Sequence, residues 1–288
     1  MVYRKIVYVS LFLLALTGCS SNDHREQREG DQLRSLGEVS EAQWQGLGRR
    51  KIFYGHQSVG RNILQGIREL EVRDSRIRLN IVSSAAPEQV EGPALVEYAI
   101  GRNGDPESKE QAFAAIMERG MGRQGGIAMY KYCYLDTLPS TNPEEMFARY
   151  RANVAALQHK YPELVIMHVT SPLTSVESPL KYWIKKALLR ATDRDLNTKR
   201  NRYNELLRNE YAGKAPIFDL AKVESTRPDG SRSFLLRDGK PVYTLALEYT
   251  DDGGHLNELG RRVAAEQLLI VLSSLPMDQG RQSAPPVR

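Results

Sequence analysis

The chain has 288 residues, of which 41% are hydrophobic, and this is enough to bury the core of one self-sufficient domain. Its net charge of +5 comes from 40 basic and 35 acidic residues without a basic stripe, so we expect no nucleic-acid partner. The two cysteines, Cys19 and Cys133, exclude the cysteine-rich secreted class of proteins.

The first residues have the order of a secretory signal peptide. Arg4 and Lys5 precede an apolar run over 6–16, which is too short to be a membrane span. The sequence Leu16-Thr17-Gly18-Cys19 then resembles the lipidation sequence of bacterial lipoproteins at every position. This resemblance implies removal of residues 1–18 and acyl chains on Cys19. A plain signal peptide or an anchor helix with an incidental cysteine is the alternative.

Lipid on Cys19 would hold the protein to a membrane without a transmembrane helix. Ser20 and Ser21 follow the cysteine, where an aspartate would favour retention at the inner membrane. By the same resemblance we expect a cell-envelope protein, anchored in the outer membrane and facing the periplasm. Loss of residues 1–18 leaves 38 basic against 35 acidic residues, a net charge of +3.

The remaining chain divides into a tether, one domain and a tail. Residues 19–45 are mostly polar, so burial cannot repay the entropy that they would lose on ordering. We therefore predict a polar tether over 19–45, a folded domain over 46–275 and a disordered tail over 276–288.

Short apolar runs alternate with helical patterns in the domain, which is typical of a parallel sheet covered on both faces. The predicted strands are Lys51–Tyr54, Ile77–Ser83, Ile127–Cys133, Leu164–Thr170 and Pro216–Leu220. The predicted helices follow Val59 and Thr141, and cover about Leu196–Tyr211 and Asn257–Leu272. The predicted class is α/β, a three-layer α/β/α fold with a flavodoxin-like, five-stranded parallel sheet. In such sheets ligands bind beyond the carboxyl ends of the strands.

The first candidate site residue is Ser58, in Gly55-His56-Gln57-Ser58-Val59-Gly60 directly after the first strand. A serine at a strand-to-helix turn can present its hydroxyl as a nucleophile and its N–H to an oxyanion. Serine is also a favoured residue at helix N-termini, so the position alone does not assign a role.

The second candidate is the loop Asp251-Asp252-Gly253-Gly254-His255 ahead of the last helix. Its glycines can take positive φ and let Asp252 fold back against His255. That contact would fix one imidazole tautomer and leave the other ring nitrogen free to take a proton. Asp251 is the alternative carboxylate, and a glycine turn with an exposed histidine is the alternative without a catalytic role.

Together these residues follow the order serine, aspartate, histidine, and here the chain resembles the SGNH hydrolase superfamily, also called GDSL esterases and lipases. The resemblance covers about Lys51–Leu272 and includes Asp252-x-x-His255-Leu256. Supporting stretches are 169–173, 202–207 and 217–220. The resemblance implies a catalytic triad of Ser58, Asp252 and His255. We expect no cofactor, and no metal site, because the histidines lack cysteine or acidic partners at ligand spacing.

The chain departs from the family at two motifs. His56-Gln57-Ser58 stands where the family has Gly-Asp-Ser. The stretch Lys131–Asp136 follows the third predicted strand, where the family carries Gly-x-Asn-Asp, but it contains no asparagine. Lys131 is either a positive charge near the oxyanion or a solvated surface group, and Cys133 is expected to be buried and inert.

An oxyanion hole must therefore be completed by other groups. By position we expect the N–H groups of Ser58 and Gly104 and the side-chain amide of Asn103. Gly101 is an alternative donor, and a plain surface turn over Asn103-Gly104-Asp105-Pro106 is the alternative without function.

The leading hypothesis is an esterase that forms an acyl-enzyme on Ser58, with His255 as base and then acid and Asp252 orienting it. The expected substrates are acylated glycans, O-acetyl groups above all, with lipid esters second; an O-acetyltransferase with the same triad is an alternative. The competing class is a non-catalytic envelope lipoprotein that uses the fold for binding or assembly.

The insertion over 173–195 contains Tyr182-Trp183-Ile184 among lysines. We expect it to form a lid, a surface that contacts membrane or glycan, or an amphipathic helix packed on the domain.

Overall fold

The computed structural model describes residues 32–188 and 190–276. The strands are β1 (Lys51–His56), β2 (Ile81–Ser83), β3 (Ala94–Ala99), β4 (Gly126–Tyr130), β5 (Leu164–Ile166), β6 (His168–Val169), β7 (Ile217–Phe218), β8 (Phe234–Arg237) and β9 (Lys240–Tyr243). The helices are α1 (Glu41–Leu47), α2 (Ser58–Arg73), α3 (Pro106–Arg119), α4 (Pro143–Lys160), α5 (Pro179–Ala187), α6 (Asp193–Tyr211), α7 (Leu220–Ser225) and α8 (Glu258–Ser274).

Five parallel strands form the central sheet, in the order β2-β3-β1-β4-β5. The chain continues alongside β4 after β5, because the Met167 N–H donates to the Ala128 carbonyl at 2.9 Å, and β6 then pairs in parallel with β7. Separate apolar clusters cover the two faces of the sheet. The predicted three-layer α/β/α class with a five-stranded parallel sheet is therefore confirmed.

The strands differ from the predicted set in one important respect. β3 is absent from the prediction although it lies between β2 and β1. Its first three residues are buried and its last three are partly or fully exposed, so it shows neither a long apolar run nor strict alternation. The strands predicted over 77–83 and 216–220 shorten to β2 and β7.

The four predicted helices are present as α2, α4, α6 and α8, whereas α1, α3 and α7 are absent from the prediction. α2 and α8 pack against each other, and α4 packs against both α3 and α6. α4 begins where the sequence indicates, because the Asn142 side chain accepts hydrogen bonds from the N–H groups of Glu144 and Glu145. Leu206 is only partly buried, whereas the other apolar residues at the three- and four-residue spacing that predicts these helices are buried, namely Ile63, Ile67, Leu70, Phe147, Tyr150, Val154, Leu157, Tyr161, Tyr203, Leu207 and Tyr211.

The predicted tether over 19–45 is wrong in its last part. α1 begins at Glu41 behind a capping box in which Ser40 and Gln43 bind each other's backbone. Val39 and Trp44 are each 3% exposed and pack into the cluster beneath α2 and α8. The segment is poor in apolar residues, but Leu33, Leu36, Val39 and Trp44 pack in or against this cluster, so the domain begins ahead of residue 46.

The predicted signal peptide and Cys19 lie outside the described residues, as does the tail from residue 277. Within the described residues, no helix combines the length and the apolar character that crossing a membrane requires.

A buried histidine on β6 makes the fold sensitive to acid. His168 Nδ1 shares a hydrogen bond of 2.7 Å with the Tyr150 hydroxyl, and the ring stacks on Tyr211 at 3.5 Å. Burial lowers the pKa of His168 to about 4. The folded protein therefore keeps this ring neutral at pH values where the unfolded chain takes up a proton.

We expect the free energy of unfolding to fall as the pH drops from about 6.5 to about 4, by on the order of 3 kcal/mol from this residue alone. The His168→Gln variant, although less stable, should lose this part of the acid slope in denaturant titrations. His159→Gln, an exposed substitution on α4, is the control and should keep the slope. An unchanged slope in His168→Gln would contradict the assignment.

Candidate active site

The turn after β1 places Ser58 at the carboxyl edge of the sheet, as the first residue of α2. Gln57 holds this turn against the end of β3, because its side-chain amide donates to the carbonyls of Ile100 (2.7 Å) and Gly101 (2.9 Å). The Ser58 N–H donates to none of the described residues. It is therefore available to an oxygen atom held at the N-terminus of α2.

His56 lies buried beneath this turn. Its Nε2 lies 2.8 Å from Glu97 Oε2 and its Nδ1 lies 2.8 Å from the Gln57 carbonyl oxygen. The hydrogen bond to His56 holds the pKa of Glu97 below its usual range. Gly60 makes room for the imidazole, since a Cβ there would overlap the His56 side chain.

The loop ahead of α8 folds back on itself around Asp252. Asp252 Oδ1 accepts from the N–H groups of Gly254 and His255, both at 2.8 Å, while Oδ2 lies 2.6 Å from His255 Nδ1. Gly253 permits this turn with a φ of +88°. Partial burial acts to raise the pKa of Asp252, but the hydrogen bonds from His255 and Gly254 outweigh it and hold the pKa well below its usual range.

The structure brings Ser58, His255 and Asp252 together although the serine and histidine are 197 residues apart. The Ser58 hydroxyl lies 2.9 Å from His255 Nε2. Since the ionised Asp252 accepts a hydrogen bond from the Nδ1–H group, Nε2 is left to accept from the serine. Asp251, the alternative carboxylate, instead accepts from the Asn257 amide at 3.2 Å. The arrangement is that of a nucleophile, a base and an orienting acid.

The expected oxyanion donor Gly104 is already occupied. Its N–H donates to Asp136 Oδ1 at 2.9 Å, so Gly104 is not a free donor in this structure. The Asn103 side chain is exposed and makes no hydrogen bond with any described residue. Of the three predicted donors, the Ser58 N–H is therefore the one that is both free and adjacent to the nucleophilic hydroxyl.

Asp136 is the residue that ties the two loops of the site together. It is fully buried and pairs with the equally buried Lys109 at 2.7 Å. Besides the Gly104 N–H it accepts from the Cys133 N–H at 2.7 Å. The loops that follow β3 and β4 are therefore fixed to one carboxylate. Sequence reasoning missed this pair, because its members are 27 residues apart and their burial is not visible in the sequence.

Tyr134 is the functional candidate that sequence reasoning missed. Its hydroxyl lies 3.5 Å from His255 Nε2, the nitrogen that faces Ser58. Its backbone carbonyl accepts from the buried Arg200 at 2.9 Å, and a Cβ at Gly254 would come within 2.8 Å of its ring. Burial raises the pKa of Tyr134, so the phenol stays protonated near neutral pH. The available signal was its place after β4, where the family carries its asparagine.

Two other candidates after β4 are buried. Lys131 is 1% exposed, so the expectation of a solvated surface group is wrong. Its ammonium donates to the Tyr132 carbonyl at 3.3 Å, and burial lowers the pKa of Lys131. Cys133 is a buried free thiol. Among the residues that the structure describes, no group of three or more His, Cys, Asp or Glu side chains could hold a metal ion.

A cavity of about 240 Å³ opens beside the triad. It lies between the loop that carries Asp252 and the insertion after β6. Its volume is below that of pockets for drug-sized ligands. Its lining residues are Tyr134, Thr174, Ser175, Glu177, Lys181, Lys185, Asp193, Asp252, Gly253 and Gly254. Of the triad, only Asp252 lines this cavity.

Comparison with protein-family models and with curated protein sequences gives no match. Among solved structures, the chain is similar to a GDSL-like lipase from Bacteroides thetaiotaomicron, with 13% identity, 88% of this chain and 98% of the other covered, and a TM-score of 0.44. It is also similar to a lipase/acylhydrolase from Enterococcus faecalis (12% identity, 78% and 95% covered, TM-score 0.44). A member of the lipolytic protein G-D-S-L family from Veillonella parvula gives 12% identity, 78% and 98% covered, and a TM-score of 0.46.

Proposed function

We propose that the protein is a serine hydrolase of the SGNH type that cleaves carboxylic esters. The observation that carries the proposal is the unbroken hydrogen-bonded series from Asp252 through His255 to Ser58, with distances of 2.6 Å and 2.9 Å. Such a series turns a weakly nucleophilic hydroxyl into an attacking group, because the imidazole takes its proton and the carboxylate stabilises the imidazolium that forms.

The reaction runs in two halves. His255 takes the Ser58 proton as the serine oxygen attacks the ester carbonyl, and then gives that proton to the departing alcohol. The acyl group stays on Ser58 as a new ester. A water molecule, deprotonated by the same histidine, attacks this ester; the acid product leaves and the proton returns to Ser58.

The charge that develops on the carbonyl oxygen needs donors near Ser58. The free Ser58 N–H is one donor, and its place at the N-terminus of α2 favours negative charge on an oxygen atom held there. We assign the second donor to the Tyr134 hydroxyl. It is neutral, it stands beside the nitrogen that faces the nucleophile, and it takes the place of the family's missing asparagine.

The proposed substrates are acylated glycans of the cell envelope, O-acetyl groups above all, with lipid esters second. The resemblance of Leu16–Cys19 to a lipoprotein signal supports an outer-membrane, lipid-anchored location. An O-acetyltransferase would use the same first half-reaction. The occupied Gly104 N–H favours the competing possibility, a non-catalytic binding protein.

Labelling with a fluorophosphonate probe tests the proposal. The parent protein should be labelled covalently, because the probe phosphorylates an activated serine and leaves a stable adduct. Ser58→Ala should abolish the labelling. Ser274→Ala is the matched control, since Ser274 is exposed at the last residue of α8, at the opposite end of this helix from His255, and it should label like the parent. The proposed enzymatic function would be contradicted if the folded parent protein is never labelled, or if the Ser58→Ala variant is labelled equally well.

The proposed role of Tyr134 predicts that the effects of Tyr134→Phe and Gly254→Ala on kcat/KM do not add. Tyr134→Phe should lower kcat/KM for an acetate ester roughly a hundredfold, since it removes one transition-state donor. Gly254→Ala should cause a loss of similar size, because its Cβ displaces the Tyr134 ring. The double variant should be no worse than Tyr134→Phe alone.

Tyr98→Phe removes a surface phenol and should leave kcat/KM unchanged. Parent-like kinetics in Tyr134→Phe, or losses in the double variant that multiply, would show that the hydroxyl does not act on the reacting oxygen.

A further inference from the structure

The helix α5, in the insertion after β6, turns its apolar face to solvent. Leu180 is 73% exposed, Trp183 68%, Ile184 51% and Leu188 59%. Their spacing of three, four and eight residues places all four on one side of the helix. None of the described side chains of α5 is buried. A surface helix of a globular protein normally shows the opposite arrangement, with its apolar side on the core.

The polar side of α5 holds it to the domain. Lys185 pairs with Asp193 at 2.9 Å and with Glu177 at 3.7 Å, and Lys186 pairs with Asp195 at 3.5 Å. Asp193 and Asp195 lie in the first turn of α6, and Glu177 precedes α5. Since ion pairs fix the lysine side, the outward direction of the apolar side is set by specific contacts.

Basic side chains flank this face. Residues 178–192 carry Lys181, Lys185, Lys186 and Arg190 and no acidic residue. Lys185 and Lys186 pair with the acidic residues named above, and Lys181 and Arg190 are exposed. A short helix with an exposed apolar face, a tryptophan on it and basic residues along its flank has the composition of helices that lie in the interface of anionic membranes. Tryptophan favours the headgroup level of a bilayer.

The face also lies on the side of the molecule that carries the triad. Lys181 and Lys185 line the cavity that Asp252 and Gly254 line from the other side. Two further exposed leucines, Leu135 (48%) and Leu138 (40%), follow Tyr134 in the loop after β4. A surface bound to α5 would therefore lie beside the mouth of the candidate active site.

We propose that the apolar face of α5, formed by Leu180, Trp183, Ile184 and Leu188, binds the surface of a membrane rich in anionic lipid. The four side chains enter the boundary between headgroups and acyl chains, and the neighbouring basic residues contact the headgroups. This docking is independent of ester hydrolysis and of any lipid on Cys19.

Tryptophan fluorescence provides a local test, because the chain has two tryptophans and Trp44 is buried. Vesicles of phosphatidylethanolamine with phosphatidylglycerol should shift the Trp183 emission of the full-length protein to the blue and protect it from an aqueous quencher. The signal arises at α5 itself, so attachment through the N-terminal segment does not produce it.

Substitutions define the contact. The double variant Leu180→Ser and Ile184→Ser should require at least about tenfold more lipid for half of the shift, since two apolar side chains leave the interface. Lys181→Gln should weaken the response about fivefold. Val72→Ser is the control, because Val72 is 89% exposed on α2 outside this face, and it should behave like the parent. Fluorophosphonate labelling of each variant reports separately on the active site.

Three results would overturn the proposal. The first is an unchanged Trp183 emission at all lipid concentrations, because the face would then not contact the membrane. The second is an equally strong shift with vesicles of phosphatidylcholine alone, because the basic residues would then have no role in binding. A shift that grows with protein concentration in the absence of vesicles would assign the face to a second copy of the chain.

Discussion

The close packing of α2 on α8 is the constraint on which the candidate active site depends. Ser58 opens α2 and His255 lies three residues ahead of α8, so the distance between the helices sets the distance between the two side chains. Gly66 on α2 lies against the Arg261 backbone on α8 so closely that a Cβ would overlap its carbonyl. The Arg261–Glu69 ion pair (2.7 Å) and the hydrogen bond from the Leu256 N–H to Asn62 (3.2 Å) join the same two elements.

Sequence reasoning succeeds here wherever the determining contact is local. The caps and the three- and four-residue spacing predict α4 and α6, and the glycines beside Asp252 account for its return to His255. It fails where the contact is long-range. β3 is stabilised by neighbours on both sides while its own pattern is weak, and the Gly104 N–H is taken by Asp136 from a different loop. Short segments before residue 46 are ordered by burial that their composition does not reveal.

The candidate oxyanion hole also depends on long-range contacts. A missing asparagine is visible in the sequence, whereas the proximity of Tyr134 to Gly254 and His255, on which its proposed role depends, is visible only in the structure. The contact between His56 and Glu97 likewise depends on the pairing of β1 with β3. These contacts support the proposed esterase, and the exposed apolar face of α5 supports the proposed membrane docking.

The central claim is that Ser58 carries the acyl group. Mass spectrometry of the protein quenched in acid during turnover of an activated aryl acetate tests it most directly. The account predicts the added mass of one acetyl group on the peptide that contains Ser58, and no such addition in Ser58→Ala. Hydrolysis of the ester without acetylation of Ser58, or with acetylation of another residue, would contradict it.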